Sequence, residues 1–264
     1  MRLVRSEILS CGCIILILAF VTLDVKAKAP VKIVGGSYAK IEEFPSLVAI
    51  GLSGDGICGG SLISNRHVLT AAHCLLNERL NVNTPAEVMT ENEIHVYTGG
   101  NNRGQFEKPR EVERIHIYKD FNFTAPVSPH DIAILTLKDA IVSGSTRKPI
   151  ALPTRAAQPD EIGYIAGWGD LNEYGLAAEM LYQTQMKVEN CSKFNLFRLD
   201  TELCGFIRKG SGPCTGDSGG PLIINDRIAG IIKSSWKCGG SKPAIFTRVF
   251  SYIEWIHRII DFDY

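Results

Sequence analysis

Along most of residues 33–250, apolar residues fall in short runs closed off by glycine, proline, asparagine or aspartate. SLVAIGL (46–52), IHVYT (94–98), DIAILTL (131–137), GYIAG (163–167) and RIAGII (227–232) are rich in Val, Ile, Leu or Tyr. Those residues suit a pleated, half-buried surface, so each run predicts a strand between turns. No long helical period alternates with them, which predicts an all-β sandwich or barrel. No internal repeat and no low-complexity tract is present.

The period changes at the end of the chain. In VFSYIEWIHRIIDF, Val249, Ile253, Ile256 and Ile260 recur at helical spacing, with Tyr252 and Ile259 beside the same stripe. This predicts an amphipathic helix docked on the core.

The first 29 residues follow another rule. Arg2 and Arg5 precede an apolar run from Ile14 to Leu23, and the small-residue segment VKAKAP follows. That order predicts a secretory signal over residues 1–27, cut after Ala27. The apolar run is shorter than the roughly 20 residues of a membrane span, and no basic stop-transfer cluster follows it, which weakens the competing reading of a signal anchor. The chain is therefore expected to be secreted and extracellular.

Composition is that of a globular protein, with 45% hydrophobic and 21% charged residues and a formal net charge of zero. Without residues 1–32 the net charge becomes −3. No polybasic tract points to nucleic acid or to a membrane surface. Six cysteines remain beyond Cys11 and Cys13: Cys58, Cys74, Cys191, Cys204, Cys214 and Cys238. In an exported chain an even count implies three disulfides, and none of the fifteen connectivities is excluded by count alone. No zinc-ligand spacing occurs, and no metal or cofactor is expected.

Three short strings carry chemistry. A serine hydroxyl needs a base, the base needs an orienting acid, and a backbone pocket must meet the developing charge. TAAHC supplies His73, HDIAILTL supplies Asp131, and GDSGGP supplies Ser218. Gly216 lets the backbone approach a substrate oxygen, so the N–H groups of Gly216 and Ser218 are candidates for that pocket. GDSGG also fits the nucleophile elbow of α/β-hydrolases, but that fold requires the order Ser, Asp, His and a helix after the serine. Here the order is His73, Asp131, Ser218, and PLII after the serine predicts a strand.

IVGG (33–36), CGGSLI (58–63), LTAAHC (69–74), DIAIL (131–135), GWG (167–169), CTGDSGGPL (214–222) and TRVFSYIEWI (247–256) resemble the chymotrypsin/trypsin family of serine proteases. The resemblance spans the chain from residue 33 onward, in order. It implies two antiparallel six-stranded barrels with the active site between them and a C-terminal α-helix, over residues 33–264. It implies His73 as general base, Asp131 as its carboxylate and Ser218 as nucleophile. It also implies the pairings Cys58–Cys74, Cys191–Cys204 and Cys214–Cys238.

By the same resemblance, residues 28–32 form a propeptide. Cleavage after Lys32 frees the Ile33 amine to pair with Asp217, so the chain is expected to be a zymogen. Another, trypsin-like protease is the implied activator. The expected partners are protein or peptide substrates, that activator and protein protease inhibitors, and the chain is expected to be a monomer.

The specificity pocket is expected to involve Gly212, Ser235, Ala244 and Phe246. Trypsin-like members carry an aspartate where this chain has Gly212, and a cation there would lack a counter-ion. Cleavage after apolar residues is therefore expected, with aromatic and small side chains both open. In GIIKSSWKC (230–238) the family's serine–tryptophan–glycine is altered. Ungapped matching places Lys233, Ser234 and Ser235 along the cleft; matching by identity places Ser235 and Trp236 there. The ungapped match brings the Lys233 cation toward Asp131, unless that side chain turns out to solvent. A second function class follows, a protease homologue of little activity that binds or regulates.

The segment between His73 and Val96 is longer than its trypsin counterpart and carries Glu78, Glu87, Glu91 and Glu93. It is either an exosite or a solvated insertion. Asn122 and Asn190 open N-glycosylation sequons.

Overall fold

The computed structural model describes residues 34–52, 56–77, 87–125, 128–196 and 198–262. The expected signal segment, propeptide and Ile33 lie outside these residues.

The first half of the chain forms β1 (Leu47–Leu52), β2 (Ile57–Leu62), β3 (His67–Thr70), β4 (Ile94–Thr98), β5 (Arg110–Ile117) and β6 (Ala133–Leu137). These close into an antiparallel barrel in the neighbour order β1-β2-β3-β6-β5-β4, with β4 back against β1. The second half forms β7 (Ile162–Gly167), β8 (Tyr182–Glu189), β9 (Glu202–Phe206), β10 (Pro221–Ile224), β11 (Arg227–Ser234) and β12 (Ala244–Arg248). Its order is β7-β8-β9-β12-β11-β10, closing on β7. Strand for strand, the two halves have the same topology. The short strand Ser37–Tyr38 adds to β8.

Closure removes the exposed edges of each sheet. It also explains runs such as LVAI, which are apolar without alternation. Val48 and Ile50 of β1 point into the first barrel, while Leu47 and Ala49 pack with Ala166, Trp168 and Leu181 from the second half. A strand buried on both faces has no polar side to show. The second barrel fills with Ile165, Met186, Leu203, Leu222 and Phe246.

The C-terminal stripe forms a 3-10 turn at Val249–Tyr252 followed by α1 (Ile253–Phe262). The apolar stripe is thus split between two helix types. Val249, Tyr252 and Ile256 are buried against the first barrel's cluster together with Ile228 and Ile231 of β11. No helix among the described residues is long and apolar enough to cross a membrane.

Ile256 is fully buried and His257 beside it is exposed. Ile256→Ala should therefore lower stability by about 2–5 kcal/mol, and His257→Ala should stay within about 0.5 kcal/mol of the parent. Urea denaturation of the two variants checks this.

Candidate active site

His73 sits in a 3-10 turn, Ala72–Leu75, that continues from β3. The Cys58–Cys74 disulfide ties that turn to β2. Asp131 lies just before β6 and is 2% exposed. Both of its carboxylate oxygens serve His73: the His73 backbone N–H donates to Oδ1 at 2.9 Å, and ring Nδ1 lies 2.7 Å from Oδ2. The residue is thus held at two points, one on its backbone and one on its ring. An Nδ1–H aimed at the carboxylate leaves Nε2 as the nitrogen with a lone pair. Asp131 is fixed in turn from the second barrel, since Thr247 Oγ1 of β12 donates to its carbonyl at 2.8 Å.

Ser218 lies in the loop between β9 and β10, braced by the Cys214–Cys238 disulfide. The Gly59 N–H of β2 donates to the Ser218 carbonyl at 2.7 Å. Here two backbones touch. A Cβ on Gly59 would lie 2.8 Å from the Gly220 Cα, and one on Gly219 (φ +80) would collide with Thr70 Oγ1 and the Gly59 carbonyl. The glycines of CGGS and GDSGGP are therefore a single steric requirement written twice.

His73 and Ser218 line one cleft of about 690 Å³, with Gly216, Lys233, Ser234 and Ser235. No hydrogen bond joins the His73 ring to the Ser218 hydroxyl, and the N–H groups of Gly216 and Ser218 donate to no described acceptor. Asp217 is 1% exposed, and its oxygens accept from the backbone N–H of Gly169 (2.9 Å) and Cys214 (3.0 Å). Burial pushes its carboxyl up to about 6, against the downward pull of those two donors. Ile33, its expected partner, is outside the described residues.

The expected pocket residues separate. Ser235 is exposed and lines the cleft, whereas Gly212, Ala244 and Phe246 are buried and line none of the described cavities. Phe246 packs over Gly205 and Met186 in the barrel core. Gly212 sits beside Gly239, its N–H on the Val34 carbonyl at 3.1 Å. The neighbouring Ser211 hydroxyl is held by Thr184 at 2.8 Å.

Lys233, Ser234 and Ser235 line the cleft, and Trp236 is 67% exposed beneath the Lys242 ammonium. A bulge falls between Ile232, opposite Phe246, and Ser234, opposite Ile245. The Lys233 ammonium pairs with Glu202, and both side chains are under a tenth exposed. No motif signals Glu202. The available cue is a glutamate in the otherwise apolar strand ELCGF, matched by a lysine in IIKSS.

The three disulfides are Cys58–Cys74, Cys191–Cys204 and Cys214–Cys238. His73 Nε2 lies near Cys58 and Cys74, but bridged sulfurs carry no thiolate with which to bind a metal. The base of the 75–95 segment edges the cleft through Leu76, Asn77 and Met89, and Leu76–Asn77 pairs with Glu87–Val88. Glu93 closes a capping box on Thr90; Glu78 lies outside the described residues. Asn122 and Asn190 are exposed, and each carboxamide oxygen accepts from the hydroxyl two residues on, at 2.8 and 2.9 Å.

The family model described as Trypsin matches residues 33–256. Chymotrypsin-2 of Vespa crabro is 30% identical over 230 residues, 86% of this chain and 99% of the relative. Trypsin-4 of Rattus norvegicus is 32% identical, covering 86% and 89% of the two chains. Serine protease SP24D of Anopheles gambiae is 33% identical, covering 85% and 80%.

The Asp217 carboxyl yields a pH prediction for the uncleaved chain. Its folded value, about 6, lies above the ordinary 3.8, so the folded state holds this proton more tightly than the unfolded state does. The resulting stabilisation is complete below the ordinary value and is lost as pH rises through about 6. The loss is on the order of 3 kcal/mol. Asp217→Asn should remove this component and leave a pH-independent offset, read as the difference between the two denaturation curves at acidic and neutral pH.

Proposed function

Because the chain belongs to the trypsin family of serine proteases, we propose that it hydrolyses peptide bonds with Ser218 as nucleophile, His73 as general base and Asp131 as the carboxylate that orients it. The observation that carries this reading is the two-point hold of Asp131 on His73. It leaves Nε2 with the lone pair, on a ring that lines the same cleft as Ser218. Catalytic hydrogen bonds are often long in the unliganded state and tighten with substrate in place, so the relay closes when a peptide fills the cleft.

The Ser218 Oγ then attacks the scissile carbonyl as its proton passes to His73 Nε2. The N–H groups of Gly216 and Ser218, which have no described acceptor, are available to the resulting oxyanion. The proton on His73 passes to the leaving amine as the C–N bond breaks. Water, deprotonated by His73, attacks the acyl carbon, and His73 returns the proton to Ser218 Oγ as the ester bond breaks and the acid leaves. The imidazolium formed at each step is stabilised by the buried Asp131 carboxylate.

The preference is for apolar residues on the acyl side of the cut bond. Gly212 has no charge to offer, and the Ser211 hydroxyl is already bonded to Thr184. The chain is made as a secreted zymogen: residues 1–27 are removed on export, and cleavage after Lys32 frees Ile33 to pair with Asp217. The buried, partly uncompensated Asp217 favours this, since an ammonium beside it relieves the cost of its charge. Three disulfides suit an extracellular protein. Asn122, exposed on the loop before Asp131, is the favoured site for a glycan.

Cutting the purified chain at Lys32–Ile33 and scanning chromogenic peptides position by position tests the whole reading. Hydrolysis after apolar residues is expected, and Ser218→Ala should lower it by roughly 10⁶-fold with the fold intact. Hydrolysis after Lys or Arg would overturn the preference; absence of hydrolysis would favour the non-catalytic homologue. The uncut chain incubated alone should not expose Ile33, because its own pocket does not accept Lys32.

A further inference from the structure

The His73–Asp131 pair has a charged neighbour that the proposed reaction does not use. Beside the main cleft lies a second cavity of about 320 Å³, lined by His73, Asp131, Arg198, Glu202, Lys233 and Ser234 among others. A lysine in the wall of such a cavity is a hazard to the catalytic acid. An ammonium close to Asp131 would satisfy its carboxylate and weaken its hold on an imidazolium at His73.

The structure gives that lysine another partner. The bulge at Lys233 interrupts the pairing of β11 with β12, and a bulge re-aims the side chain it carries. The ammonium ends on Glu202 Oε1, with the lysine 8% and the glutamate 4% exposed. The other oxygen, Oε2, accepts the Leu199 N–H at 3.2 Å and lies 4.0 Å from Arg198 Nε. Glu202 stands directly opposite Thr247, whose hydroxyl holds the Asp131 carbonyl. Glu202 is therefore carried on the strand next to the one that holds Asp131 in place.

Arg248 donates to the Glu202 backbone carbonyl at 3.1 Å. Arg103 and Asp170 line the main cleft, and His130 is bonded to the Tyr252 hydroxyl at 3.0 Å.

We propose that Glu202 is a positioning residue: by holding the Lys233 ammonium, it keeps that cation from competing with His73 for the Asp131 carboxylate. This rests on the reading of His73 as the base and adds a residue through which that base is tuned. Glu202 acts on the His73–Asp131 pair through Lys233.

The test is an NMR titration of the His73 ring in the full chain carrying Ser218→Ala, which needs no turnover. With Glu202→Gln added, the ring should lose its proton at lower pH than in the parent, by about half a unit or more. With Lys233→Met instead, the unbalanced Glu202 carboxylate should move it to higher pH. With both, it should return to the parent value. A merely structural role predicts no such opposed pair of shifts with cancellation. An unmoved ring in Glu202→Gln, or a double variant that stays shifted, overturns the proposal. Should Glu202→Gln fail to fold, an unmoved ring in Lys233→Met does the same. Hydrolysis by the cleaved Ser218 chain is measured separately, so loss of the catalytic reading and loss of this proposal give different results.

Discussion

The Gly59 N–H to Ser218 carbonyl bond is the contact on which the rest of the site depends. It presses the loop of the second barrel onto the wall of the first, leaving room for hydrogen alone at Gly59 and Gly219. Thr247 does the same work in the other direction, reaching from β12 to the Asp131 carbonyl. Each half of the molecule thus places a residue belonging to the other. His73 and Asp131 come from the first barrel and Ser218 from the second, and no half could hold all three.

Much of this was legible in the chain. The strands near 46–52, 94–98, 163–167 and 227–232 appear within two residues of their expected limits, because runs of β-branched residues closed by turn formers leave little alternative. DIAILTL begins later than its pattern suggests: Asp131 and Ile132 precede β6, as the aspartate leaves the ladder to reach His73. The C-terminal stripe has the right face but opens as a tighter turn, a distinction that periodicity over so few residues does not make. The disulfide pairing required the resemblance, since counting left it open.

What sequence did not reveal is long-range and electrostatic. Lys233 could be placed near Asp131, but its partner Glu202 lies thirty-one positions away on a strand that touches β12 rather than β11. Nothing local marks such a pair: two isolated charges in apolar strands find each other only after the barrel closes. The pocket shows the same limit. Ala244 and Phe246 take part in the second barrel's core, whereas Gly212 lies in a loop against Val34 and Gly239, and no motif spacing conveys that difference in surroundings.

The three bridges have one more property in common. Cys58–Cys74 staples the first barrel; Cys191–Cys204 and Cys214–Cys238 staple the second. None of them crosses the seam. Oxidation therefore reinforces each half without welding the halves together, and the geometry that brings His73 and Ser218 to one cleft is held by non-covalent contacts, the buried cluster of Leu47, Ala49, Ala166 and Trp168 among them.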